Sequence, residues 1–129
     1  MGDTICENTR KAAEQGYAFY QCVLGDYYRY GTGVPKDDAE ALKWYRKAAE
    51  QGDAHAQLSL GSMYAEGEGV PKDRVEAYVW FNLAGPTLDK AGIFRDDISR
   101  FMTLEQIAEA QKRSRAFVAK PSPVTLGIS

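Results

Sequence analysis

Lys11-Ala12-Ala13-Glu14-Gln15-Gly16 returns as Lys47-Ala48-Ala49-Glu50-Gln51-Gly52, thirty-six residues later and without a gap. Working outward, Gly31 and Gly33-Val34-Pro35-Lys36-Asp37 return as Gly67 and Gly69-Val70-Pro71-Lys72-Asp73. Ala18, Gln21, Leu24-Gly25, Tyr28, Glu40-Ala41 and Trp44 return as Ala54, Gln57, Leu60-Gly61, Tyr64, Glu76-Ala77 and Trp80. Twenty of the thirty-six positions aligned from Lys11 match. A period in this range marks a stacked helical repeat, whose units cannot bury their apolar faces alone.

Each unit reads as two helices. The first covers Ala18 to Tyr30 and, one period on, Ala54 to Glu66, with Leu24, Gly25 and Tyr28 sharing a face with Ala18 and Gln21. A glycine inside a helix costs about 1 kcal/mol against alanine. The recurrence of Gly25 as Gly61 therefore implies that another helix packs there too closely for a side chain. Gly31-Thr32-Gly33-Val34-Pro35 breaks the helix. Asp37 with Glu40, and Asp73 with Glu76, then have the spacing of a capping box. The second helix of each pair carries Ala41, Trp44, Tyr45 and Ala48, then Ala77, Trp80, Phe81 and Ala84, on one apolar stripe. Gly16 and Gly52 close their helices from the C′ position.

The run Ala-x-Ala-Gln-x-x-Leu-Gly-x-x-Tyr-x-x-Gly-x-Gly-Val-Pro-Lys-Asp, followed by Glu-Ala-x-x-Trp-(Tyr/Phe)-x-x-Ala-Ala-Glu-Gln-Gly, resembles the Sel1-like repeat of the tetratricopeptide-type solenoids. The likeness covers about residues 11 to 84. It implies an all-α, right-handed α-α superhelical solenoid of stacked antiparallel helix pairs. The expected division is one helical-repeat domain over 1–119: a half repeat at 1–16, repeats at 17–52 and 53–86, capping helices at 87–119. Residues 120–129 follow as a non-helical tail, held by a contact in this chain or a neighbouring one. In the half repeat Asn8 stands where Trp44 and Trp80 stand, and Tyr20 replaces the small Ala56, suited to covering an exposed edge. Gly85-Pro86 ends the last full repeat; Leu88 to Phe101 and Leu104 to about Val118 read as two further helices. Thr103 and Gln106 form the start signal of the second. Met102 to Gln111 resembles the C-terminal cap of bacterial members.

Composition narrows the function. The chain of 129 residues is 44% hydrophobic and 26% charged, with a formal net charge of −2. That balance lacks the clustered basic face expected for nucleic acid. Lys112, Arg113 and Arg115 are diluted by Glu105 and Glu109 and read as a solvated face. There is no run long enough to span a membrane. The first seven residues lack the basic flank and apolar core of a signal peptide, so a cytoplasmic location is expected. Cys6 and Cys22 fall on repeat positions held elsewhere by Leu42 and Leu58, as buried thiols would.

No catalytic constellation emerges. His55 is the only histidine, and no Cys-x-x-Cys or His-x-x-x-His spacing offers a metal site, so neither metal nor cofactor is expected. Gly31-x-Gly33 and Gly67-x-Gly69 lack the flanking pattern of a phosphate loop and read as turns. Asp37-Asp38 and Asp96-Asp97 are explained by capping and exposed faces. What remains is the set of positions that do not repeat. The resemblance implies a concave surface formed by the first helix of each pair, carrying Phe19, Cys22, Asp26, Arg29 and Tyr30 in the first repeat. In the second it carries His55, Leu58, Ser62, Ala65 and Glu66. Aromatic anchors beside a charged pair suit a binding hot spot, although Cys22 and Leu58 could equally be core. The expected function is an adaptor that binds a peptide or partner protein there. The alternative is a homodimer through the exposed edge helix. Third is an enzyme: cysteine-rich relatives are linked with binding or hydrolysing β-lactams, but they carry a cysteine pair in each repeat, which this chain lacks.

Overall fold

The computed structural model describes residues 4–123, and over that range the repeat becomes an array of seven helices. They are α1 (Thr4–Glu14), α2 (Ala18–Tyr30), α3 (Asp38–Glu50), α4 (Ala54–Glu66), α5 (Arg74–Ala84), α6 (Asp89–Ser99) and α7 (Leu104–Ala116). Each helix packs on its successor from α1 to α6, and α5 also receives α7, so α2/α3 and α4/α5 stack as helix pairs. The expected all-helical solenoid is what forms. Helices α2 and α4 have the bounds read from the sequence, because Gly31 and Gly67 stop both in the left-handed region at φ +70° and +71°.

The apolar stripes meet in one interior that crosses the repeat boundary. Tyr45, Ala48 and Ala49 of α3 lie in the same cluster as Leu60 and Met63 of α4 and Phe81 of α5. Ala13, Leu24 and Trp44 continue it toward the N-terminal half repeat. Tyr78, Val79 and Ala110 continue it into the cap. The helical glycines have the predicted cause. A Cβ built on Gly25 would lie 2.7 Å from the Tyr45 ring, and one on Gly61 would lie 2.7 Å from the Phe81 ring.

Aspartate caps α3 and α5 in only half of the expected way. Asp37 and Asp73 accept from the backbone N–H of Glu40 and Glu76, each at 3.1 Å. The return bonds from the glutamates do not form, because the Asp37 and Asp73 N–H groups donate to the carbonyls of Tyr28 and Tyr64. The glutamates are released for other partners: Glu76 accepts from Trp80 Nε1 at 3.2 Å. A full capping box does form at Thr103 and Gln106, where no helix offers a competing carbonyl.

The last helix ends at Ala116, before Val118, as Phe117 turns to meet the Trp80 ring edge-on at 6.0 Å. The segment that follows is held within its own chain: Lys120 N–H donates to the Glu50 carbonyl at 2.8 Å. Tyr20 does not close the N-terminal edge. It stays 41% exposed and lines a groove with Asn8, Thr9, Ala12 and Tyr17.

Candidate functional site

The first helices of the pairs, α2 and α4, with α6 of the cap, carry the positions that depart from the repeat. Their buried faces are spoken for, and their outer faces divide into an aromatic part and a polar part. On α2, Phe19 is 65% exposed and Tyr30 is 67% exposed. Phe19 meets Tyr20 edge-on at 5.2 Å. Ile93 and Phe94 are exposed on α6, and Phe101 just beyond its end. Most of the exposed large apolar side chains among the described residues therefore belong to these helices or adjoin them.

The polar part joins the two repeats. Arg29 donates to Glu68 at 3.2 Å and lies over the Tyr30 ring at 5.6 Å from its centre. Glu68 sits in the turn after α4, so this ion pair runs from α2 to the next repeat's turn. The Glu66 and Glu68 carboxyls share a hydrogen bond, which raises the Glu66 carboxyl above its usual range and lowers that of Glu68. Arg29 reinforces the lowering at Glu68. Asp26 accepts from the Tyr45 hydroxyl, whose pKa burial and this acidic partner push up.

Four of the predicted site residues, Asp26, Arg29, Tyr30 and Glu66, thus lie on or next to one interacting polar network, with Phe19 exposed at the start of the same helix. Ser62 and Ala65 line a small groove of about 160 Å³ with Glu66, Phe94, Asp97 and Ile98. His55 is exposed at the start of α4. Cys22 and Leu58 are placed differently: Cys22 is 8% exposed within the core and Leu58 packs against it. Burial, with Asp53 and Asp26 adding to it, pushes the Cys22 thiol up to about 12. Cys22 is thus a core residue, and Leu58 is half-buried against that core.

Sequence reasoning missed several structural pairs that obey the same offset. Arg10 donates to the Tyr28 hydroxyl at 2.7 Å, and Arg46 donates to that of Tyr64. Gln21 and Gln57 donate to the Ala13 and Ala49 carbonyls at 3.1 and 3.2 Å, satisfying the ends of the preceding helices. The recurrence of Arg10 as Arg46 was the available signal. Glu68 had none, since Thr32 holds the equivalent place.

The comparisons with known proteins agree with this geometry. The Sel1 repeat model matches residues 8–17, 18–53 and 54–85. The chain belongs to the Sel1 repeat family. It is similar to the crystal structure of c5321, a protective antigen present in uropathogenic Escherichia coli strains and displaying an SLR fold. That match has 36% identity and a TM-score of 0.84, covering 95% of this chain and 27% of the antigen's. A Sel1 repeat protein from Oxalobacter formigenes matches at 41% identity and a TM-score of 0.69, over 78% of this chain and 41% of its own. This Sel1 repeat chain therefore spans about a quarter of the first relative's length and about two fifths of the second's. A comparison with curated proteins gives no match. Among the described residues no helix is long and apolar enough to cross a membrane, and no group of three or more His, Cys, Asp or Glu is placed to hold a metal ion.

Proposed function

We propose that this Sel1 repeat chain is an interaction scaffold whose α2–α4–α6 face binds a peptide or partner protein and performs no chemistry itself. The observation that carries the reading is the exposure of Phe19 and Tyr30 on α2, a helix that already buries Gln21, Cys22, Leu24 and Gly25 inward, with Ile93 and Phe94 exposed on α6. Large aromatic side chains left in water on a rigid support are the residue types that dominate binding energy at interfaces. The Arg29–Glu68 pair and its neighbours supply polar groups beside them. Because helices rather than loops support the face, a partner meets it largely preorganised.

Phe19→Ala with Tyr30→Ala, compared with the native chain in pull-downs from native lysate, tests this. The native chain should recover a protein that the double variant, with an unchanged helical spectrum, does not. Equal recovery of every captured protein by both chains would remove these residues from any interface.

A second reading rests on Tyr20. Its repeat counterpart, Ala56, is fully buried, whereas Tyr20 lies half-open on the groove between α1 and α2. That edge supports self-association through an isologous contact. Sedimentation should then give a dimer that Tyr20→Glu returns to monomer; a native chain monomeric at millimolar concentration would exclude it.

A further inference from the structure

Solenoids are held together by neighbour contacts, so a contact that skips a repeat needs its own explanation. The segment after α7 makes several. From Ala116 the chain runs extended along the turns that join one helix pair to the next. Phe117 rests on Trp80 of the second repeat. Lys120 meets Glu50 at the end of α3, through the backbone bond at 2.8 Å and through Nζ to Oε1 at 2.9 Å. Pro123 reaches the end of α1, where a Cβ on Gly16 would lie 3.4 Å from its ring.

The seating is periodic. A Cβ on Gly52 would lie 3.5 Å from Ala119, so Ala119 and Pro123 sit over glycines one repeat apart. Four residues of extended chain reach at most about 14 Å, and that reach is enough to pass one helix pair. Both glycines are in the left-handed conformation, φ +102° and +98°, which stops their helices and leaves bare backbone facing the tail. The Ala-Glu-Gln-Gly turn that recurs in the sequence is thus a repeated seat for an extended chain. The fit is incomplete. Between the tail residues Lys120 to Pro123 and the turns a groove of about 700 Å³ stays open, lined on the other side by Gly16, Tyr17, Gln21, Lys47 and Gln51. Gln51 donates to Gly16 O and Gln21 Oε1, yet its own buried Oε1 has no partner.

We propose that this row of turns is a docking track for an extended, lysine- and proline-bearing segment of a partner protein, and that residues 117–123 are its resident occupant. The track is separate from the α2–α4–α6 face. Its recognition chemistry is a carboxylate for the lysine at Glu50, the Glu50 carbonyl for one backbone N–H, and glycine seats that take Ala119 and Pro123, the latter a residue with no N–H in need of an acceptor. The tail acts as a tethered competitor, present at high effective concentration, that a stronger segment of the same chemistry displaces.

The probe is a labelled peptide, Phe-Val-Ala-Lys-Pro-Ser-Pro, titrated by fluorescence anisotropy against full-length chains. The native chain should bind it weakly, because its own tail competes. Phe117→Ala with Lys120→Glu loosens that tail and should bind the peptide about fivefold more tightly or better. Adding Glu50→Lys should reverse the gain and favour a peptide with Glu in place of Lys. If the double variant loses its helical spectrum, Lys120→Glu alone takes its place, with a gain of about twofold expected. Absence of saturable binding to the loosened chain, or indifference to the Glu50 and peptide charges, overturns the proposal. Saturable association between copies of the chain with none of the peptide also overturns it, in favour of tail exchange.

Discussion

Two residue pairs carry the fold at the smallest scale. Gly25 under Tyr45 and Gly61 under Phe81 let α2 and α4 approach their partners to ring-on-backbone distance. Gly61→Ala puts a methyl group 2.7 Å from ring carbons that are themselves enclosed, and should cost about 1–3 kcal/mol by overpacking. In urea unfolding, Gly61→Ala combined with Phe81→Leu should cost less than the two changes summed, since the smaller side chain makes room for the methyl. Strict additivity would mean that the glycine is needed for some other reason. Cys22 gives a pH dependence. Its folded pKa, near 12, lies above the ordinary value of 9.0, so the native state keeps a proton that the unfolded chain releases. That stabilisation is complete below pH 9 and is lost as pH rises toward 12, with Tyr45 acting in the same direction. Urea midpoints measured from pH 8 to 10.5 should fall, and fall less steeply in Cys22→Ala. In a Cys6→Ser chain at pH 8 the Cys22 thiol should react with a disulfide reagent only on unfolding.

Elements were legible wherever punctuation recurs. Gly31 and Gly67 end α2 and α4, and the aspartates start α3 and α5, so those bounds could be read directly. Helix starts without a repeated signal differ in strength. Asp53 caps α4 by accepting from Ala56 N–H at 2.9 Å, while Tyr17 holds nearly the same backbone angles at the start of α2 and makes no such bond. Asp53→Ala should lower stability by about 1 kcal/mol in thermal or urea melts. The capping boxes read at Asp37 and Asp73 formed only in part, because a local motif cannot foresee the Tyr28 and Tyr64 carbonyls that a folded helix pair presents. The same blindness applies to the site. Phe19 and Tyr30 could be singled out because they break the repeat, but Glu68 lies in a turn and meets Arg29 only once two repeats stack. Cys22 stood among the binding candidates although its match to Leu58 already pointed to the core.

Across the whole molecule the sequence was most informative about stacking and least about the path of the tail. A repeat at offset thirty-six implies neighbours in space, whereas the bond from Lys120 to Glu50 spans 70 residues and obeys no period. Stacking makes a stronger claim than adjacency. One cluster contains Tyr45 of the first pair with Leu60 and Phe81 of the second, so the two units should unfold as one body. Native-state hydrogen exchange on the full chain tests this most directly. Phe81→Ala removes a buried ring at a cost of about 3–5 kcal/mol. The protected amides of α2 and α3 should lose protection by the same free energy as those of α4 and α5. If α2 and α3 keep their native protection while α4 and α5 open, the two repeats do not share an interior.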